Sequence, residues 1–158
     1  MFIFAEVDGT HRMEVDRILA AQWGSIEMVV RGEVVDMSRQ NGILAYSEGK
    51  IVGLLVYRIQ GEMCEILSLD SFQEGIGIGT GLIGQVIGIA RRAGCVKIKL
   101  ITTNDNVNAI RFYQKRGFDM VRIYRNALEV SRKLKPAIPL VGENGIPIRH
   151  EIEFELLL

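Results

Sequence analysis

Between residues 43 and 69 the chain makes three apolar runs, separated only by Glu48-Gly49-Lys50 and Gln60-Gly61-Glu62. Linkers this short cannot carry a crossover, so residues 43–47, 51–59 and 63–69 are predicted to form an antiparallel meander. The pattern then changes abruptly. Glu74-Gly75-Ile76-Gly77-Ile78-Gly79-Thr80-Gly81-Leu82 alternates glycine with other residues and leads into an apolar, helix-like run. Glycine lets backbone N–H groups turn toward a ligand and lets the ligand come close. Where such a loop opens a helix, unpaired N–H groups and the helix dipole favour an anion, typically a phosphate.

The other segments can be read more coarsely. Residues 2–7 are expected to be a strand, and residues 12–22 an amphipathic helix carrying Met13, Val15, Ile18, Leu19 and Ala20. Residues 23–41 hold Trp23, Met28, Val29 and Val30 but are interrupted by Gly24 and Gly32, and a short helix plus loop is expected there. The helix over residues 77–93 has a small-residue face (Gly77, Gly81, Gly84, Gly88), which suits close packing on a sheet. A strand is predicted over residues 96–101 and a helix over 105–116, with Asn104 or Asp105 as its N-cap and Gly117 as its stop. A strand over 118–124, a short helix over 125–134, a loop marked by Pro136, Pro139, Gly142, Gly145 and Pro147, and a last strand over 151–158 complete the reading. No repeat or linker divides the chain, so residues 1–158 are expected to be one domain. The fold class is α/β (α+β), with a mixed, mostly antiparallel central sheet flanked by helices.

Charge and composition narrow the function classes. Nineteen Lys and Arg residues balance 19 Asp and Glu, which gives no bulk attraction to nucleic acid or to an acidic membrane surface. No apolar run approaches the roughly 20 residues of a membrane span, and the first residues lack the pattern of a signal peptide. A cytoplasmic location is expected. Cys64 and Cys95 follow no metal or redox spacing, and His11 and His150 lie far apart. No metal is expected.

Two phosphate ligands compete. Gly79-Thr80-Gly81-Leu82-Ile83-Gly84 matches the dinucleotide pattern G-x-G-x-x-G, and Asp105 follows at roughly the distance of a ribose-binding acid. That pattern requires its first glycine directly after a parallel strand. Here the preceding strand ends near Leu69 and belongs to an antiparallel meander, which argues against a dinucleotide.

The second reading fits more of the chain. The segment from Glu74 to Leu82 resembles motif A of the GNAT superfamily of N-acetyltransferases, in which Gln/Arg-x-x-Gly-x-Gly/Ala holds the coenzyme A pyrophosphate. Asn106-Val107-Asn108-Ala109-Ile110-Arg111-Phe112-Tyr113-Gln114-Lys115-Arg116-Gly117-Phe118 resembles motif B. Glu74 departs from the family pattern. Glu65-Ile66-Leu67-Ser68-Leu69 and the tail around Lys135-Pro136 and Gly145-Ile146-Pro147 are similar to a bacterial GNAT branch of unassigned substrate. The resemblance implies splayed strands at the coenzyme site and acetyl-CoA as co-substrate. It also implies direct transfer of the acetyl group to a primary amine of a small molecule or peptide. A non-catalytic acyl-CoA-binding or regulatory module is the alternative. Such folds are commonly homodimers, and the chain itself gives no direct sign of one.

Residue roles follow from the resemblance. Backbone N–H groups of Gly75, Ile76, Gly77, Ile78, Gly79 and Thr80, entered at Glu74, would take the pyrophosphate. Leu69, Asp70 and Ser71 match the strand end that pairs with pantetheine, with the Leu69 N–H polarising the acetyl carbonyl. Asn106 matches the asparagine near the pantetheine arm; helix capping is its alternative. Tyr113 matches the tyrosine near the sulfur. A phenol of pKa about 10 can give its proton to a thiolate, whereas a plain buried aromatic is the other reading. Glu65 is the candidate general base, on the argument that strand alternation sets Glu65, Leu67 and Leu69 on one face. Trp23, Arg31 and Tyr46 are candidates for the acceptor cleft. The charged run from Arg122 to Lys135 reads as a solvated face.

Overall fold

The computed structural model describes residues 1–158. In chain order the first elements are β1 (Ile3–Glu6), α1 (Arg12–Trp23), β2 (Glu27–Val30), β3 (Glu33–Asp36), a 3-10 turn (Met37–Arg39), β4 (Asn41–Ser47), β5 (Lys50–Gln60) and β6 (Met63–Ser71). Then come α2 (Ile78–Arg92), β7 (Lys97–Thr103), α3 (Val107–Lys115), β8 (Asp119–Tyr124), α4 (Ala127–Leu134) and β9 (Glu151–Leu157). Seven strands make a mostly antiparallel sheet, while β2 and β3 form a separate pair. The fold is the expected α/β class with four flanking helices. The chain gathers into two compact units. One comprises Met1–Ile26, Asp36–Ile98 and Leu157–Leu158; the other comprises Glu27–Val35 and Lys99–Leu156.

In the first unit the strands run β1-β4-β5-β6, and every pair is antiparallel. The meander read from the short linkers is present. Val52, Leu54, Leu55, Val56 and Tyr57 of β5 are all buried, so this strand is covered on both faces. One cover is α2, which buries Ile78, Leu82, Ile83, Val86 and Ala90. A Cβ at Gly53 would lie 2.6 Å from Cγ2 of Ile78, so α2 rests directly on β5. The small-residue face of α2 is only partly used. A Cβ at Gly81 would come 2.5 Å from Cζ of Phe4, but Gly84 meets nothing within 4 Å and Gly88 meets only Arg92 of its own helix. The large apolar side chains set the packed face, and Gly84 points to solvent.

The expected helix plus loop over residues 23–41 is corrected. Helix α1 stops at Gly24, and the following residues form the β2–β3 hairpin and the 3-10 turn. Met28-Val29-Val30 and Val34-Val35 are β-favouring runs. Arg31 and Gly32 join them with φ of 51° and 74°, the positive pair that a two-residue hairpin turn requires.

A bulge in β6 matters for the site. Val56 pairs with Ser68 and Tyr57 pairs with Ile66, so Leu67 is an extra residue facing no partner. An inserted residue resets the alternation of the strand.

In the second unit the strand order is β7-β9-β8, and β8 and β9 are antiparallel. Its core includes Tyr113, Phe118, Leu128, Ile152 and Phe154. The Tyr113 ring lies 5.5 Å from Phe118 and 6.1 Å from Phe154, centroid to centroid. The N-cap of α3 is Asn106 rather than Asn104 or Asp105, the capping role given above as the alternative for this residue; its side chain accepts from the Ala109 N–H at 3.2 Å. The tail after α4 is bound by side chains. Arg132 donates to the carbonyls of Pro139 at 2.7 Å and Ile148 at 2.6 Å. Asn104 Oδ1 accepts from the N–H groups of Arg149 and His150. The run from Arg122 to Lys135 is therefore not only a solvated face, because Arg132 pins the tail.

Candidate active site

The glycine loop sits between β6 and α2, and every residue from Ser71 to Gly77 is exposed. Gly75 and Gly77 have φ of 77° and 86°, with Ile76 between them in ordinary negative φ. Such alternation turns successive N–H groups to one side and forms an anion-binding concavity. Gly77 is also the N-cap of α2. The first bond from the helix into this cap runs from the Gly81 N–H to the Gly77 carbonyl at 3.0 Å. The N–H groups of Ile78 and Gly79, at the very start of the helix, have no carbonyl inside it to take them. The loop and the helix dipole thus converge on one exposed spot, which fits a pyrophosphate. Glu74 is exposed and free to turn outward, so it need not oppose an anion there. The dinucleotide pattern falls away on geometry, since its glycines, Gly79, Gly81 and Gly84, all lie inside α2.

The end of β6 follows from its ladder. Phe72 donates its N–H to the Val52 carbonyl at 2.9 Å, one pair beyond Ser71 and Gly53. Antiparallel ladders alternate hydrogen-bonded and non-hydrogen-bonded pairs. Asp70 and Leu54 therefore form a bonded pair, and the N–H of Leu69 points away from β5, toward the other edge of β6. Ser71 is exposed and donates its hydroxyl to the Gln73 carbonyl at 3.1 Å.

The Leu67 bulge corrects the expected face of Glu65. Glu65 pairs with Arg58, Ser68 with Val56 and Asp70 with Leu54. Those β5 residues share one face, so Glu65 lies with Ser68 and Asp70, opposite Leu69. Leu69 pairs with Leu55, on the Gly53 side covered by α2. Nε and Nη2 of Arg58 both reach Glu65 Oε1 at 2.9 Å, and the glutamate side chain is 4% exposed. Arg58 was not singled out by the sequence, although its place directly opposite Glu65 across the β5–β6 hairpin could have shown it. Ser68 was also missed. Its hydroxyl is buried and has no hydrogen-bond partner.

Asp70 is half-buried, and Oδ2 accepts from the indole N–H of Trp23 at 3.1 Å. Burial pushes the Asp70 carboxyl up from its ordinary value, and the indole bond pulls it partly back. Trp23 is the last residue of α1, so α1 ends over the face opposite α2. Beside it a groove of about 510 Å³ is lined by Ile18, Ala21 and Gln22 of α1 with Tyr46, Ile51 and Phe72. Burial raises the Tyr46 phenol above its usual range, and the charges of Glu14 and Asp8 add to the rise.

In the second unit, Tyr113 is 7% exposed and Asn106 caps α3. Arg31 is held by two partners. Its backbone N–H and its Nη1 both donate to the buried Glu151 carboxylate, and its guanidinium carbon stacks 3.3 Å from the Tyr124 ring centroid. Cys64 is fully buried, and burial pushes its thiol up to about 12, which suits an inert core residue. No group of three His, Cys, Asp or Glu side chains is arranged to hold a metal.

The chain matches the model of the acetyltransferase (GNAT) family over residues 13–118. It is 50% identical over 140 residues to the uncharacterized protein YdhI of Bacillus subtilis (strain 168), covering 88% of each chain. Its fold is similar to that of an IAA acetyltransferase from Bacillus cereus ATCC 14579, with a TM-score of 0.73 at 20% identity, covering both chains fully. It is similar also to a GNAT family acetyltransferase from Elizabethkingia anophelis with acetyl-CoA bound, with a TM-score of 0.73 at 20% identity over 99% of this chain and 98% of that one. The glycine loop, the helix it caps and the paired motifs agree with these matches: the chain belongs to the GNAT family of acetyltransferases.

Proposed function

We propose that this protein transfers an acetyl group from acetyl-CoA directly to a primary amine. The observation that carries the reading is the exposed cradle at Gly75 and Gly77, set at the N-terminus of a 15-residue helix within a chain of this family. The N–H groups of residues 75–80 hold the pyrophosphate, where the loop concavity and the helix dipole act together. Acetyl-CoA, when bound, supplies the thioester. The Leu69 N–H, directed away from β5, stabilises the negative charge that develops on the carbonyl oxygen. Leu69, Asp70 and Ser71 form the strand end along which the pantetheine lies, and Asn106 supports it. Tyr113 gives its phenolic proton to the sulfur. Trp23 and Tyr46 belong to the acceptor side. Arg31, its guanidinium held by Glu151 and Tyr124, is a further candidate for the acceptor side.

Glu65 is the less favourable proton acceptor. It lies four residues from Leu69, roughly 13 Å along an extended strand, and its charge is matched by Arg58.

The test is a transfer assay with acetyl-CoA and a panel of primary amines, run alongside calorimetric titration of the coenzyme. The reading expects binding and N-acetylation, and a fall in kcat for Tyr113→Phe with the coenzyme affinity kept. Tight coenzyme binding without transfer to any amine, and no effect of Tyr113→Phe, would favour an acyl-CoA-binding module instead.

A further inference from the structure

The row of side chains opposite α2 on β6 has a feature that the family match does not account for. It begins with the closed Arg58–Glu65 pair and ends with two polar groups beside Leu69. One is the Ser68 hydroxyl, buried with no hydrogen-bond partner. The other is the Asp70 carboxylate, whose Oδ2 is held by Trp23. A buried hydroxyl without a partner costs about 1–3 kcal/mol, so such groups are rare unless a ligand or water completes them. The bulge at Leu67 is what places both groups on this face. Without it they would point toward α2, into a region filled by Ile78 and Leu82.

The two flank Leu69, whose N–H is the proposed oxyanion donor. Their α-carbons stand about 7 Å apart, two residues of strand. An amine drawn in beneath Trp23 would stand between the two side chains, on the strand segment whose Leu69 edge holds the acetyl carbonyl. We propose that Ser68 and Asp70 receive the acceptor's amine, Ser68 orienting it and Asp70 taking the proton it must lose before attack. This inference rests on the acetyltransferase reading.

The step balances. An ammonium gives one proton to the Asp70 carboxylate, which passes it to water. The neutral nitrogen forms the C–N bond as the C–S bond breaks, with the electron pair leaving on sulfur. Tyr113 protonates that sulfur and is restored, through solvent, by the second proton lost from nitrogen. Burial of Asp70 favours this role, because a carboxylate harder to ionise is a better match to an amine than an ordinary surface carboxylate. Trp23 is 41% exposed and forms the outer wall, so the acceptor meets an aromatic face as it approaches.

Trp23 is the only tryptophan in the chain, which gives a readout besides turnover. Benzylamine, putrescine and a short peptide with a free N-terminus serve as probes, with Asp70→Asn, Asp70→Glu and Ser68→Ala as variants. Asp70→Asn is expected to lower kcat/KM for the amine about 100-fold or more, with acetyl-CoA affinity within about threefold of the unaltered protein. The acidic limb of its pH profile should disappear, and Asp70→Glu should restore part of the rate. Ser68→Ala should raise the amine KM with a smaller effect on kcat. Amine addition should change the Trp23 emission of the unaltered protein and leave that of Asp70→Asn unchanged. If Asp70→Asn keeps the rate and the acidic limb while Glu65→Gln loses both, the assignment is overturned and the acetyltransferase reading stands. If the unaltered protein acetylates none of the probes and none changes its emission, both fail.

Discussion

The indole N–H of Trp23 donates to Oδ2 of Asp70 at 3.1 Å and ties the last residue of α1 to the end of β6. This bond joins residues 47 positions apart and sets an aromatic side chain beside the strand that carries the proposed oxyanion donor. It also holds a carboxylate partly out of water, with a consequence for stability.

The Asp70 carboxyl is raised in the folded state, chiefly by burial. The folded protein therefore binds this proton more tightly than the unfolded chain does. In the window between the ordinary and the raised value, stability falls as pH rises, and above that window the cost is fully present. Asp70→Asn removes a carboxylate that must otherwise stay ionised. Its Tm is expected to exceed that of the unaltered protein at pH 7, with the gain shrinking as pH falls toward the ordinary carboxylate value. Thermal denaturation across pH 4 to 8 measures this, and a lower Tm at pH 7 would contradict it.

The glycines of α2 should behave differently from one another. Gly84 is exposed and meets nothing, so Gly84→Ala should stabilise the protein by about 0.5–1 kcal/mol through helix propensity alone. Gly81→Ala brings a methyl against Phe4 and should destabilise. Chemical denaturation of the two variants should move the midpoint in opposite directions.

The Arg58–Glu65 pair is buried, and breaking it leaves a charge uncompensated. Arg58→Met should destabilise by about 3–5 kcal/mol. The double change Arg58→Met with Glu65→Leu should recover most of that loss, since replacing both charges by apolar groups is often neutral. A double-mutant cycle by urea denaturation reads the coupling. Equal losses in the single and double variants would show that packing of Arg58, not the pair, matters.

Cys64 is expected to be silent. With its thiol pushed up to about 12 and no exposure, it should not react with iodoacetamide at pH 8 in the folded protein. Labelling followed by peptide mass analysis should find Cys64 modified only after denaturation.

Much of the fold was legible because its signals were local. The two short linkers at Gly49 and Gly61 required a meander, and the glycine run from Gly75 to Gly81 marked a loop running into a helix start. The β2–β3 hairpin was not legible, because its turn uses Arg31 at positive φ, a conformation that residue seldom signals. The site was readable as far as backbone chemistry went. The face of Glu65 was misread because strand alternation assumes an unbroken ladder, and nothing in Glu65-Ile66-Leu67-Ser68-Leu69 announces a bulge at Leu67. Ser68 escaped notice for the same reason. Its burial and lack of a partner are properties of the folded sheet, not of the residue type. The close-packing role given to Gly84 failed because spacing alone cannot say which stripe of a helix faces the core.

The account's central claim is direct acetyl transfer prepared by the glycine cradle. The most direct measurement is a single-turnover experiment with acetyl-labelled acetyl-CoA in slight deficit over protein, analysed by intact mass before and after adding amine. The account predicts no acetylated protein without amine, then N-acetyl amine and free coenzyme A thiol in equal amounts, both slowed in Gly77→Val, whose side chain cannot easily hold φ near 86°. Stable acetylated protein that forms before amine is added, or thiol release without N-acetyl amine, would contradict it.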